Sequence, residues 1–95
     1  MWRIKVNIET AKIIFYDGSD IIHESDIVVR EKDIDNFKIN FKIIMIYPDD
    51  FVNEIQCKYS YMEIIYNEKK YHTLFIKDLY QHKDMISMEL SNLEG

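Results

Sequence analysis

Three features of the chain predict a mainly β fold, a small antiparallel sandwich or open barrel of six or seven strands with at most one or two short helices. The first is the kind of apolar residue it uses: 17 Ile, 7 Tyr and 5 Phe stand against 4 Leu and 1 Ala. β-branched and aromatic side chains fit a pleated, half-buried surface, whereas Ala and Leu, the best helix formers, are scarce. The second is a period of two in several stretches. The third is Asp-Gly between two apolar runs, a pair that accepts the positive φ angles of a tight hairpin turn.

At 95 residues the chain is one domain with one modest core. Composition is ordinary for a folded protein, 47% hydrophobic and 31% charged, well away from the polar balance of disorder. Its abundance of Ile, Lys, Asn and Tyr also matches AT-rich coding.

From Trp2 to Ile8 the apolar residues Trp2, Ile4, Val6 and Ile8 alternate with Arg3, Lys5 and Asn7. That reads as a half-buried strand rather than a signal peptide. The stretch IIFYDGSDII (13–22) is the clearest hairpin. Placing Asp17 and Gly18 in the loop pairs Tyr16 with Ser19 and Ile14 with Ile21, and avoids setting Asp17 against Asp20. Continued outward, this register sets Val6 opposite Val29 and Glu9 opposite Asp26, so a bulge is expected near Thr10 to Lys12 and His23 to Asp26.

Glu31 to Asn36 reads as a polar loop or a single helical turn. Phe37, Ile39, Phe41, Ile43, Met45 and Tyr47 then alternate with polar residues before Ile44 and Ile46 make both faces apolar, the pattern of a strand covered on both sides at its end. Pro48 stops it, and the segment through Ile55 reads either as a short helix capped by Asp49 or Asp50 or as a loop. A second hairpin comes next: a strand from about Ile55 to Tyr66, a four-residue loop Asn67 to Lys70 chosen because no Gly is present, and a strand from Tyr71 to Ile76. In the tail, Ile86, Met88 and Leu90 alternate with Ser87, Glu89 and Ser91, which favours a strand over a helix. The expected core is Trp2, Ile4, Val6, Ile8, Ile14, Ile21, Ile27, Val29, Phe37, Ile39, Phe41 and Ile43.

The sequence reads as that of a binding protein. Two glycines exclude a Gly-rich phosphate loop. His23, His72 and His82 match no ligand spacing, and Cys57 belongs to no Cys-x-x-Cys pair, so neither a metal, a cofactor nor a catalytic set is expected. The acidic pairs lack the remainder of a calcium loop. A lone Cys and the absence of a long apolar run point to a cytoplasmic setting away from membranes.

The best candidate surface is KYSYMEIIYNEKKYHTLFIK (58–77), with Tyr59, Tyr61, Tyr66 and Tyr71 as rings and Lys69 and Lys70 as cations. Outward rings beside cations stack and neutralise single-stranded nucleic acid. The same residue types also serve cross-strand packing in any antiparallel hairpin, and a net charge of −5 opposes attraction to phosphates. The expected partner is therefore another protein, with single-stranded nucleic acid as the alternative. Self-association is expected too, because Ile44, Ile46, Met62, Ile64, Met85 and Met88 exceed what one small sheet face hides and open strand edges invite a second copy. Size and composition have the character of short phage or mobile-element proteins that act by binding, as inhibitors or assembly factors.

Overall fold

The computed structural model describes residues 8–48 and 50–93. Six strands form it: β1 (Glu9–Asp17), β2 (Asp20–Ile34), β3 (Ile39–Ile46), β4 (Tyr61–Tyr66), β5 (Lys69–His82) and β6 (Met85–Ser91), with one π-helical turn, Val52–Gln56, between β3 and β4. All neighbours pair antiparallel, and the order β1-β2-β3-β6-β5-β4 closes into a barrel. The expected fold class holds, with the barrel closed rather than open. Closure joins the two outermost strands, β1 and β4, and so removes the open edges on which the expectation of self-association partly rested.

The ring is built from two three-stranded meanders, β1-β2-β3 and β4-β5-β6, sealed by β3 against β6 and β1 against β4. Each has a long middle strand, 15 residues in β2 and 14 in β5. The four register shifts leave the extra residue on these middle strands: Ile22 and Arg30 in β2, Thr73 and Lys77 in β5. Bulges bend and twist a strand, which lets a long middle strand wrap a narrow barrel. Thr73 adopts φ 58° at its bulge.

The core follows from the alternation. Ile13, Phe15, Ile27, Val29, Phe41, Ile43, Met45, Met62, Ile64, Leu74, Ile86, Met88 and Leu90 point inward and fill the barrel, while Tyr47, Phe51 and Ile55 plug one end. Of the expected core, Ile14, Ile27, Val29, Phe41 and Ile43 are buried and Ile39 is half-buried, but Ile8, Ile21 and Phe37 are exposed. Trp2, Ile4 and Val6 lie outside the described residues. Ile21 sits beside a two-residue turn and Phe37 in the β2–β3 connection, where no second layer among the described residues covers them.

Several local expectations are corrected. The first turn is Gly18-Ser19, with Asp17 opposite Asp20 and Tyr16 opposite Ile21. Both carboxylates are exposed, where water screens their repulsion. The turn is held from outside, since the Gly18 N–H donates to Ser60 Oγ (2.9 Å) and the Ser60 N–H to the Tyr16 carbonyl (2.6 Å). Gly18 supplies the required φ of +63°. The register shift then falls between Phe15 and Tyr16, nearer the tip than expected, and Lys12 rather than Glu9 faces Asp26.

β2 runs on through Ile34, so Glu31 to Ile34 is strand and the connection shortens to Asp35–Lys38. The strand expected from Ile55 starts only at Tyr61, because 52–56 coil into the π turn closed by the Cys57 N–H donating to the Val52 carbonyl (3.2 Å). The second hairpin turns on two residues, Asn67 and Glu68, both at positive φ (53° and 66°), with Tyr66 opposite Lys69 and Ile64 opposite Tyr71. Asn accepts that conformation readily; Glu does so at a penalty. β5 continues past Ile76 to His82, and the tail is a strand, β6, as its alternation indicates.

Candidate functional site

The aromatic hairpin does not present a ring platform. Tyr59 packs on the core edge-on to Phe15 (6.3 Å between centroids), and its hydroxyl oxygen accepts the Ile76 N–H (3.2 Å). Tyr66 and Tyr71 both stand edge-on to Phe41, at 5.9 and 5.3 Å. The Tyr66 hydroxyl donates to Glu9 Oε2 (2.8 Å), and Lys32 Nζ lies 5.1 Å from its ring centroid and 3.0 Å from the same carboxylate. Tyr66 and Lys32, as donors, hold the Glu9 carboxyl below its ordinary pKa, and Tyr66 together with the Glu9 carboxylate raises that of Lys32. Tyr61 alone of the four faces outward, stacked on Tyr16 at 4.8 Å. Burial pushes the Tyr16 hydroxyl pKa up, aided by the nearby Glu63. Lys69 and Lys70 are exposed at the hairpin tip. The structure thus brings Tyr66 and Tyr71 together around Phe41, and leaves Tyr59 and Tyr61 toward the opposite end.

Two histidines acquire specific surroundings. His72 Nδ1 lies 2.7 Å from Glu63 Oε2 on the convex outer wall. His23 faces inward under the π turn, 4.9 Å from Tyr47 and 5.9 Å from Phe15, and its Nε2 is buried with no hydrogen-bond partner among the described residues. Burial lowers the His23 pKa, with Glu54 and Glu24 pulling partly against it. Tyr47 donates to Glu54 Oε2 at 2.7 Å, and burial with that carboxylate pushes its hydroxyl to about 12. Among the described residues no three His, Cys, Asp or Glu side chains gather as a metal-binding group, and no helix is long and apolar enough to cross a membrane.

A surface missed by sequence reasoning lies on the outer wall of β2, β3 and β6. Cross-strand pairing places Val28 opposite Ile44, Ile44 opposite Ser87, and Ile46 opposite Met85. Val28, Ile44, Ile46 and Met85, with Thr10, Asp26 and Ile27, line a shallow pocket of about 250 Å³. Ile46 is 73% exposed. Tyr80, opposite Ser87 on β5 and 68% exposed, continues the surface, with His82 stacked on it. The next row along the barrel is charged: Glu31, Lys42, Glu89 and Asp78 face one another in register. Alternation marks Ile44 and Ile46 as the second face of β3, and the expectation that this end is covered on both sides is corrected: Ile44 is half-buried and Ile46 lies open among the described residues.

Of the surplus apolar residues, Met62, Ile64 and Met88 lie inside the barrel, and Ile46 and Met85 outside it. At the other end, the β2–β3 connection carries Phe37, 86% exposed and flanked by the exposed Ile34. Asp35 Oδ1 accepts the N–H groups of Phe37 (2.9 Å) and Lys38 (2.8 Å), and these bonds lower the Asp35 pKa. Asn92 Nδ2 donates to the Phe37 carbonyl (3.1 Å) while its Oδ1 accepts the Ile39 N–H (2.9 Å). No protein-family model, curated protein or solved structure matches this chain.

Proposed function

We propose that this protein acts by association with another protein, with the outer wall of β2, β3 and β6 as its contact surface, rather than by catalysis. The observation that carries the reading is the gathering of Val28, Ile44, Ile46 and Met85 around one pocket beside Tyr80. Apolar clusters exposed on a folded surface and rimmed by charge mark interaction sites, and aromatic and Met side chains are enriched where proteins meet. The short accessory role suggested by size and composition, inhibitor or assembly factor, fits such a surface.

Single-stranded nucleic acid is the competing partner. It draws support from Lys69 and Lys70, but Tyr59, Tyr66 and Tyr71 spend their rings on internal packing. One experiment separates the two. The immobilised protein is incubated with an extract of its own host, with and without nuclease, alongside an Ile46→Glu variant and a Lys69→Ala/Lys70→Ala variant. The expected result is a stoichiometric, nuclease-resistant protein, retained by the lysine variant and lost from the Ile46 variant. Bound oligonucleotide, released by moderate salt and lost with the lysines, would overturn the proposal.

A further inference from the structure

From the exposed knob at one end and the pocket on the wall, we infer that the chain binds a second copy of itself head to tail, Phe37 of one copy entering the pocket between Val28, Ile44, Ile46 and Met85 of the next. The inference rests on the reading of that wall as a contact surface and names its occupant.

Phe37 is the most exposed large hydrophobic side chain among the described residues. The loop beneath it is held in place: Asp35 accepts two of its backbone N–H groups, the Asp35 N–H donates to the Lys38 carbonyl (3.0 Å), and Asn92 bridges Phe37 to Ile39. A ring presented on a pre-ordered loop loses little freedom on binding, which is how aromatic anchors gain affinity.

The pocket suits that ring in size and chemistry. Its walls are mostly aliphatic and its volume is about 250 Å³; an apolar cavity of roughly 150 Å³ already holds a benzene ring. Charge agrees as well. Lys38 follows Phe37 directly and Asp26 stands on the pocket rim, and among the described residues neither side chain has an ion-pair partner. One chain cannot satisfy itself, because the knob adjoins the start of β3 at Ile39 and the pocket its end at Ile46. Seven residues of strand separate them, roughly 23 Å. Contact between two different patches generates a ring if the rotation closes and a filament if it does not.

Sedimentation equilibrium of the purified protein tests this. The mean mass is expected to rise above 11.5 kDa as concentration increases over about two decades. Phe37→Ser removes the knob and Ile46→Glu blocks the pocket, and each variant alone is expected to stay monomeric with an unchanged far-ultraviolet dichroism spectrum. Mixed, they should form a species of twice the monomer mass that grows no further, since one supplies the pocket and the other the knob. Met85→Glu replaces Ile46→Glu should the latter fail to fold. Wild-type protein that stays monomeric, oligomers that survive Phe37→Ser, or a mixture that does not pair would each overturn the inference. A monomeric wild type would leave the extract experiment free to decide whether the wall binds a different protein.

Discussion

Glu63 and His72 meet side chain to side chain across β4 and β5, 2.7 Å between Oε2 and Nδ1, with the carboxylate buried and the imidazole exposed. The bulge makes it possible: His72 and Thr73 together face the single residue Glu63, which sends His72 to the outer side. A buried carboxylate left without its partner carries its full desolvation penalty. His72→Ala is therefore expected to lower unfolding free energy in urea by about 1–2 kcal/mol, and a Glu63→Leu/His72→Val double variant to recover most of it.

His23 sets a pH dependence near neutrality. Its folded-state pKa lies below the ordinary value of 6.5, so the unfolded chain takes up the proton first as pH falls. Stability is complete above about pH 6.5 and declines below it, down through the lowered folded value. Urea midpoints for the wild type should drop between neutral pH and pH 5, and His23→Leu should flatten that part of the profile.

Asp35 and Glu9 act in a separate, more acidic window. Both carboxyls are held below their ordinary values, so the stability they confer is present at neutral pH and fades as pH falls below the usual carboxylate range. Asp35→Ala is expected to speed hydrogen exchange at the amides of Phe37 and Lys38, whose bonds it removes, and to weaken the proposed head-to-tail contact through Phe37.

Glu68 carries φ +66° in the β4–β5 turn. A side chain in that conformation is disfavoured by roughly 1–2 kcal/mol relative to glycine, part of which glycine forfeits through the entropy of the unfolded chain. Glu68→Gly should raise stability by about 0.5–1 kcal/mol, read as a higher urea midpoint with an unchanged slope.

Phe41 is wholly buried and is the ring on which Tyr66 and Tyr71 both rest. Phe41→Ala is expected to lose about 3–5 kcal/mol, enough to unfold much of the population of a domain this small. Thermal melts should show it directly.

Alternation, together with the scarcity of Ala and Leu, makes the strands legible. It marks a strand within Phe37 to Tyr47, which the structure trims to β3, and another over Ile86 to Ser91, which the structure extends by one residue to β6, because each buries every second residue. What it cannot convey is how a sheet bends. The bulges at Ile22, Arg30, Thr73 and Lys77 come from wrapping long strands around a barrel, and each shifts the facing of the residues beyond it. Turn chemistry misleads for a similar reason: the pairing of Asp17 with Asp20 is tolerable because it is exposed and Ser60 braces the turn from outside the hairpin. The aromatic and basic character of the 58–77 hairpin is plain in its composition, but whether a ring faces water depends on which side of a closed surface it falls. Phe37 continues the rhythm of β3 and so reads as core, whereas it belongs to the loop held by Asp35 and Asn92, outside the barrel.

The arrangement in two meanders bears on how the molecule comes into being. Within each half the partners are near in sequence, so β1-β2-β3 and β4-β5-β6 can zip up locally and early. The seams between halves join residues about fifty apart, as in Asn40 with Ser91 or Lys12 with Ile65, and must wait for a much larger loop to close. Until they do, each half shows two raw strand edges, and the 47–60 segment is the tether that keeps the correct half nearby. Lengthening that tether should slow the last step of folding while leaving the first untouched, and at high concentration it would allow the halves of two chains to trade places.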